Sequence, residues 1–305
     1  MTRNWNFTWD LVNILLSFKV DFTNFCTMMT KTVKLYFHYL MPKKLLTQFA
    51  GLLANTKITW LKNYLIAYFV KRHPVNMAEA IESNPFAYTS FNEFFTRHLK
   101  PGVRPIAQER YVSPADGAIS QFGQLHEHQM LQAKGIDYSF KELTLSTTHE
   151  AEPFLNGEFM TIYLSPKDYH RIHMPIDGTL IKQTYIPGKL FSVQPFTTDH
   201  IPNLFAQNER LVMHFETESG PLIMVMVGAT IVGCIGTVWQ GDLKRQSQIE
   251  TTEWTTPIPL KKGEEVGYFK LGSTVIVAWP ESSNLKWHKN FINGETIKLG
   301  HALAN

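Results

Sequence analysis

Cysteine is scarce in this chain of 305 residues. Cys26 and Cys234 are the only two, which leaves no material for a disulfide framework or a zinc-type cysteine cluster and suits a reducing compartment. Long apolar runs are missing as well. A membrane-spanning helix needs about 18 or more apolar residues. The stretch 11–18 is apolar but short, and Asp10 and Lys19 bracket it. The expectation is a chain that lies on a membrane surface rather than crossing the bilayer, with no cleavable signal peptide. No internal repeat or low-complexity tract is evident, so nothing points to a solenoid or a long disordered segment.

Hydrophobic residues make up 44% of the sequence, enough for a real core in one large domain or one domain with an appendage. The net charge of +3 hides an asymmetry. Residues 1–73 hold ten Lys or Arg against Asp10 and Asp21, so this part is strongly basic and the remainder carries a net charge of −5. The basic end is also rich in Leu, Phe, Trp and Tyr. Basic and aromatic together can mean nucleic acid. Basic, aromatic and amphipathic together fit an anionic membrane surface better, and nucleic acid is not expected as a partner.

Leu45, Leu46, Phe49, Leu52 and Leu53 recur at helical spacing behind Lys43 and Lys44, and Trp60, Leu61, Tyr64, Leu65, Tyr68 and Phe69 do so again before Lys71 and Arg72. Both stretches predict amphipathic helices, whose stripes either pack on the rest of the domain or bind a lipid surface. Residues 90–99 predict a further helix, with Ser90 and Glu93 as a capping box and Pro101-Gly102 as its stop. From about Tyr111 the texture changes to short runs rich in Val, Ile, Phe, Thr and Tyr between Gly, Pro and Asp turns. Residues 159–164, 222–227, 230–238 and 273–279 predict strands, and 255–267, with Pro257, Pro259 and Gly263, reads as an exposed connection. The expected fold class is α+β. Amphipathic, membrane-associating helices occupy 29–100, and a β-rich, mixed, barrel-sandwich-like domain occupies 101–305. Residues 1–28 are an extension to which no role is assigned, with Met28 or Met29 as alternative starts.

Three places carry chemistry. In the first, Gly272 precedes Ser273 and Thr274 at the mouth of the apolar run 275–278. A glycine there permits an unusual backbone conformation at the Gly-Ser bond, and a serine hydroxyl can attack the preceding carbonyl if the backbone is held bent. Strain of about 1–3 kcal/mol and intramolecular placement worth about 7–11 kcal/mol would favour that attack. Taken alone, Gly-Ser-Thr at a strand start is ordinary turn chemistry. In the second place, Ser165, Pro166 and Asp168 suit the first turn of a helix that Pro175 ends, and His170 and His173 would share one of its faces. Such a pair can do acid–base chemistry near neutral pH, bind a metal, or be purely structural. No further ligands at convincing spacing accompany it, so no metal is expected. In the third place, Pro114-Ala115-Asp116-Gly117 reads as a β-turn whose Asp116 carboxylate can also orient a histidine.

Together these places resemble the phosphatidylserine decarboxylase family in its bacterial and mitochondrial form. The resemblance runs from about Val33 onward. It takes in Phe91-Asn92-Glu93-Phe94-Phe95, Pro114-Ala115-Asp116-Gly117 and Tyr169-His170-Arg171-Ile172-His173-Met174-Pro175. It continues through Pro187-Gly188-Lys189-Leu190-Phe191-Ser192-Val193, Asn208-Glu209-Arg210 and Val227-Gly228-Ala229-Thr230-Ile231-Val232-Gly233 to Phe269-Lys270-Leu271-Gly272-Ser273-Thr274.

The resemblance implies a zymogen that cuts itself between Gly272 and Ser273 by an Asp116, His173 and Ser273 triad. The products are a β chain, 1–272, and an α chain, 273–305, with Ser273 converted to a pyruvoyl cofactor. The implied reaction turns phosphatidylserine into phosphatidylethanolamine and carbon dioxide. The ketone forms a Schiff base with the substrate amine and accepts the electrons left by the departing carboxylate, so neither pyridoxal phosphate nor a metal is needed. His170 is implied as the proton donor in decarboxylation and Ser192 as a substrate contact. The family also implies a dimer of processed units, peripheral at the cytoplasmic face of the bacterial inner membrane. A second reading is a barrel-sandwich carrier or binding module, with His170 or His173 as a phosphohistidine or with a biotinyl or lipoyl lysine. It leaves the basic helices unexplained, and no Met-Lys-Met-type attachment lysine is present.

Overall fold

The computed structural model describes residues 31–133, 136–230, 234–288 and 291–305. The extension 1–28, Met29 and Cys26 lie outside the described residues, as do Ile231, Val232 and Gly233. The chain forms two compact units, Met1–Pro42 and Lys43–Asn305. In the first, α1 (Lys31–Leu40) shows Tyr36, Tyr39 and Leu40 to solvent.

The second unit opens with the two helices that the apolar spacing predicts, α2 (Lys43–Ala54) and α3 (Thr59–Arg72). α2 buries Thr47 and Ala54 but leaves Leu45, Phe49 and Leu52 exposed, at i, i+4 and i+7, as an apolar stripe beside the exposed Lys44. α3 buries Ile66 completely. It also buries Lys62, whose Nζ donates to the Phe86 carbonyl at 2.7 Å and to Asn63 Oδ1 at 2.6 Å. Among the described residues no helix is long and apolar enough to cross a membrane.

α4 (Phe91–Phe95) is shorter than the helix expected over 90–99. Ser90 caps it by accepting from the Glu93 N–H at 3.2 Å, but the Glu93 carboxylate accepts from Thr89 rather than from Ser90. Packing accounts for its length. One turn seats Phe91, Phe94 and Phe95 around Phe69 of α3, at ring-centroid distances of 5.2, 5.9 and 5.8 Å. Thr96, Arg97 and His98 then offer no further apolar face.

Beyond Tyr111 the chain is a largely antiparallel β domain. The strands of its two larger sheets are β1 (Gly117–Gln124), β2 (Glu158–Leu164), β3 (Arg171–His173), β4 (Gly178–Ile186), β5 (Arg210–Thr217) and β6 (Gly220–Val227). They continue as β7 (Cys234–Thr237), β8 (Gly241–Asp242), β9 (Glu250–Leu260), β10 (Glu265–Lys270), β11 (Ser273–Trp279) and β12 (Thr296–Ile297). An eight-stranded sheet has the order β9-β4-β5-β6-β11-β2-β1-β12, and a four-stranded sheet the order β8-β7-β10-β3. β11 is buried at every position, as an unbroken apolar run requires when both faces of a strand are covered.

Two expectations need correction. Residues 165–175 do not form a helix. A turn leads into β3, where Arg171, Ile172 and His173 pair with Tyr268, Gly267 and Glu265 of β10. The local capping signals are real, but extended pairing buries Ile172, and His170 and His173 therefore do not share a helical face. The stretch 255–267 is exposed over much of its length, yet residues 255–260 belong to β9. This strand lies at the sheet edge, where Pro257 and Pro259 are tolerated beside a register shift between Glu253 and Ile258.

Candidate active site

The strand register brings the separated motifs to one end of the large sheet. Ser273, at the start of β11, lies opposite Leu164 at the end of β2, and Ala118 of β1 lies opposite Tyr163. On the other side Thr274 faces Val227 of β6, Val227 faces Arg210 of β5, and Arg210 faces Ile186 of β4. Asp116, the turn after Leu164, Ser273, Gly228, Glu209 and Pro187 thus all flank the same row of strand ends.

Residues Leu271 and Gly272 form the corner at which the chain leaves β10 of the small sheet and enters β11 of the large one. Both have left-handed backbone, with φ of +79° and +47°. Gly272 takes this conformation without a side-chain penalty. For Leu271 it costs about 1–2 kcal/mol, and its side chain is seated against the apolar cluster of α3 and α4 that includes Phe91, Phe94 and Phe95. Ser273 follows at once, fully buried, and its Oγ has no hydrogen-bond partner. A nucleophile beside a bent, strained peptide is the arrangement that attack on the preceding carbonyl requires.

The segment from β2 to β3 makes the neighbouring crossing between the sheets. Ser165 N–H and Oγ both donate to Asp168 Oδ2 at 2.7 Å, closing the turn. His170 is fully buried, and its carbonyl accepts from the Phe269 N–H at 3.0 Å, which ties it to β10. Its Nδ1 donates to the Asp168 carbonyl at 2.9 Å. A carbonyl only accepts, so Nδ1 carries the proton and Nε2 presents a lone pair, buried and without a partner. Burial, with Arg97 nearby, pushes the His170 pKa down to about 3.

His173 differs. It is half-buried, its Nδ1 donates to the Gly263 carbonyl at 2.9 Å, and its Nε2 lies 3.4 Å from the Tyr169 hydroxyl. Burial holds its pKa below the usual imidazole value, against the raising fields of Glu265 and Asp116. The His173 N–H donates to the Pro114 carbonyl at 2.9 Å, so the segment carrying Asp116 runs directly alongside. Asp116 and His173 are nevertheless not hydrogen-bonded. The Asp116 carboxylate receives Arg104 Nε at 3.0 and 3.1 Å, Arg104 Nη2 at 2.6 Å and the Leu299 N–H at 2.9 Å. Arg104 also reaches Glu79 at 2.7 Å.

Arg104, Gly263 and Tyr169 therefore touch the candidate site residues, a role that their sequence context does not assign them: Gly263 reads only as a turn residue of 255–267 and Tyr169 only as part of the motif around His170. An arginine in a polar stretch and a glycine in a turn give no local signal of such contacts. Two more arginines fasten the end of α4 to the turn. Arg171 Nε donates to the Thr96 carbonyl at 2.8 Å, and Arg97 Nη2 to the carbonyls of Lys167 and Asp168 at 3.2 and 3.4 Å. The Phe95 ring packs on His170 at 4.1 Å between centroids. Ser192 is half-buried in the loop after β4, its Oγ accepting from the Gln194 N–H at 3.4 Å. The neighbouring Phe191 ring lies under Lys43 Nζ at 4.7 Å and Lys189 Nζ at 5.3 Å. Among the described residues no group of three or more His, Cys, Asp or Glu is arranged to hold a metal ion.

A family model described as phosphatidylserine decarboxylase matches residues 91–305, and a second, described as PSD, matches residues 33–73. The phosphatidylserine decarboxylase proenzyme of Legionella pneumophila (strain Corby) is 49% identical over 269 residues, which cover 87% of this chain and 95% of the relative. That of Idiomarina loihiensis is 47% identical over 283 residues, 90% of this chain and 97% of its own. That of Pseudoalteromonas translucida is 52% identical over 254 residues, 81% of this chain and 88% of its own.

Proposed function

The chain belongs to the phosphatidylserine decarboxylase family, bacterial type, and from that premise we propose how its own residues perform the reaction. Its function is that of a decarboxylase proenzyme, a carboxy-lyase that converts phosphatidylserine into phosphatidylethanolamine. The observation that carries the residue-level reading is the left-handed pair Leu271 and Gly272 placed directly before a buried, unpartnered Ser273 hydroxyl.

Cutting begins when His173 Nε2, kept unprotonated by the Nδ1 bond to Gly263 and reached only by the long contact from the Tyr169 hydroxyl, takes the Ser273 proton. Oγ bonds to the Gly272 carbonyl carbon, the peptide C–N bond breaks, and the nitrogen keeps the proton that His173 returns. Loss of the Ser273 α-proton then expels the Gly272 carboxylate, and hydrolysis of the resulting enamine releases ammonia and leaves a pyruvoyl group on residue 273. Asp116 contributes negative charge beside His173, held in place by Arg104. The products in this reading are chains 1–272 and 273–305.

The residues at the site suit such a group: a buried position 273 at the sheet end, with His170 on the neighbouring crossing. A pyruvoyl ketone supplies an electron sink for the departing carboxylate. His170 handles the proton. Neutral in this environment, its Nε2 can take the proton that the substrate ammonium loses and then give it to the carbon that loses carbon dioxide. Ser192, next in the chain to the Phe191 ring that Lys43 and Lys189 overhang, contacts the substrate. The exposed Leu45, Phe49 and Leu52 stripe on α2, with Lys44, supports peripheral binding to an anionic bilayer, and the cytoplasmic face of the inner membrane is what the family resemblance implies. The barrel-sandwich likeness rests on the Pro114-Ala115-Asp116-Gly117 turn in a glycine-rich β domain, and the dimer of processed units on the family resemblance alone.

Ser273→Ala tests the reading. It is expected to abolish both chain cutting, seen on a denaturing gel, and release of carbon dioxide from phosphatidylserine. An uncut variant that still decarboxylates would overturn it.

A further inference from the structure

The cutting chemistry gives Arg97 no task, and its surroundings show one. Arg97 follows α4 and is only 4% exposed, yet no carboxylate is hydrogen-bonded to it. Its Nη2 donates to two backbone carbonyls of the Ser165 to His170 turn. Nε and Nη1, which hold three N–H donors between them, are buried and unpartnered. The carboxylates that act on it are engaged elsewhere, Asp116 and Glu79 by Arg104, and the Asp168 carboxylate accepts from Ser165. A guanidinium stays charged at working pH, and a buried charge without a hydrogen-bonded counter-ion is costly to keep. An anion arriving from outside would complete it.

The position says which anion. Arg97 lies between the apolar cluster of α3 and α4 and the turn that presents His170. Its guanidinium is 5.9 Å from the Phe94 ring centre, and the Phe95 ring touches His170. A phospholipid whose acyl chains stay on the apolar side and whose serine reaches His170 would bring its phosphodiester between the two. Resting on the decarboxylase reading above, we propose that Arg97 receives the phosphodiester of the phosphatidylserine headgroup through Nε and Nη1. The substrate carboxylate is the poorer partner. A cation on it would stabilise the state before carbon dioxide leaves more than the state after, which slows the reaction. The phosphodiester keeps its charge throughout, so its contact stabilises ground and transition states alike and appears in KM rather than in kcat.

The test compares mature wild type, Arg97→Gln and Arg97→Lys, each first checked for complete cutting. With short-chain phosphatidylserine, Arg97→Gln is expected to raise KM about 10–100-fold with kcat held, the loss of charged hydrogen bonds, and Arg97→Lys to raise it less. Direct binding is then measured with sn-glycero-3-phosphoserine, on protein whose ketone has been reduced with borohydride so that no turnover occurs. The same order of loss is expected, whereas free serine binds all three alike. An Arg97→Gln enzyme with unchanged KM and headgroup affinity would overturn the proposal, as would a fall in kcat alone. Unchanged headgroup affinity with a less stable mature form would assign Arg97 to the new Gly272 carboxylate instead, which also overturns it. If Arg97→Gln does not cut, the smaller KM and affinity losses of Arg97→Lys decide alone. Wild type that neither cuts nor makes phosphatidylethanolamine would remove the decarboxylase reading itself. Normal wild type with an insensitive Arg97→Gln removes only this proposal.

Discussion

The two ends of the large sheet are built for different purposes. At the far end, β5 and β6 close a tight hairpin with Thr217 opposite Gly220, bridged by Thr217 Oγ1 to the Gly220 carbonyl at 2.7 Å. Trp279 ends β11 there, with Tyr111 and Trp287 edge-on at 5.9 Å each, and Trp287 Nε1 donates to Glu158 at 2.9 Å. Gly157 is so close beneath Trp279 that an added Cβ would stand 2.1 Å from the Trp279 carbonyl oxygen. At the near end the same strands run into a left-handed corner, two sheet crossings and buried polar atoms of Ser273 and His170 that bond to nothing. The far end is finished by packing. Both ends leave buried polar atoms without partners, Tyr111 Oη, Ser219 Oγ and Trp279 Nε1 at the far end among them; the near end differs in placing the Ser273 hydroxyl directly after a left-handed corner with His170 on the neighbouring crossing, and that is where the chemistry is proposed.

If this division is right, substitutions at the near end change chemistry and those at the far end change stability. The largest effects are expected from the two histidines, which should separate. His173→Ala should slow cutting by about 10²–10⁴-fold, followed as loss of the intact chain over time. His170→Ala should still cut but turn over phosphatidylserine more slowly by a similar factor. Normal turnover in a matured His170→Ala enzyme would show that the two roles are misassigned.

A pH profile of cutting sharpens the near end further. Burial lowers the pKa of His173, so its neutral, basic form persists below the ordinary imidazole value of about 6.5. The rate should stay level from pH 8 down through 6.5 and fall only at lower pH, as protonation removes the base. A midpoint at or above 6.5 would mean that another group, or an exposed histidine, does the work. The smallest chemical effect is expected from Gly157→Ala at the far end. The collision with the Trp279 carbonyl should lower stability by about 1–3 kcal/mol, measured by denaturant titration of the Ser273→Ala proenzyme. In the Ser273 background, cutting at low temperature should be little changed. A cutting defect without a stability loss would blur the distinction between the ends.

Much of this was readable in the sequence, and the failures have physical causes. The spacing of Leu45, Phe49 and Leu52 predicts α2, but spacing alone does not tell which side faces the domain, and the stripe turns outward. The apolar run 275–279 predicts β11 because a doubly covered strand has no polar face to alternate. Residues 165–175 mislead because Ser165, Pro166 and Asp168 satisfy a local turn, while pairing of Ile172 with β10, nearly a hundred residues away, decides the backbone. Asp116, His170, His173 and Ser273 could be named from their motifs. That Arg104 holds Asp116 and that Arg97 is buried could not, because arginine on its own predicts exposure.

The most direct test of self-cutting is the intact mass of the purified protein under denaturing conditions. The account predicts two masses, for chains 1–272 and 273–305, with the smaller lighter than its free-serine form by one ammonia and reactive toward carbonyl reagents. A single mass for the uncut chain in a preparation that decarboxylates phosphatidylserine would contradict it.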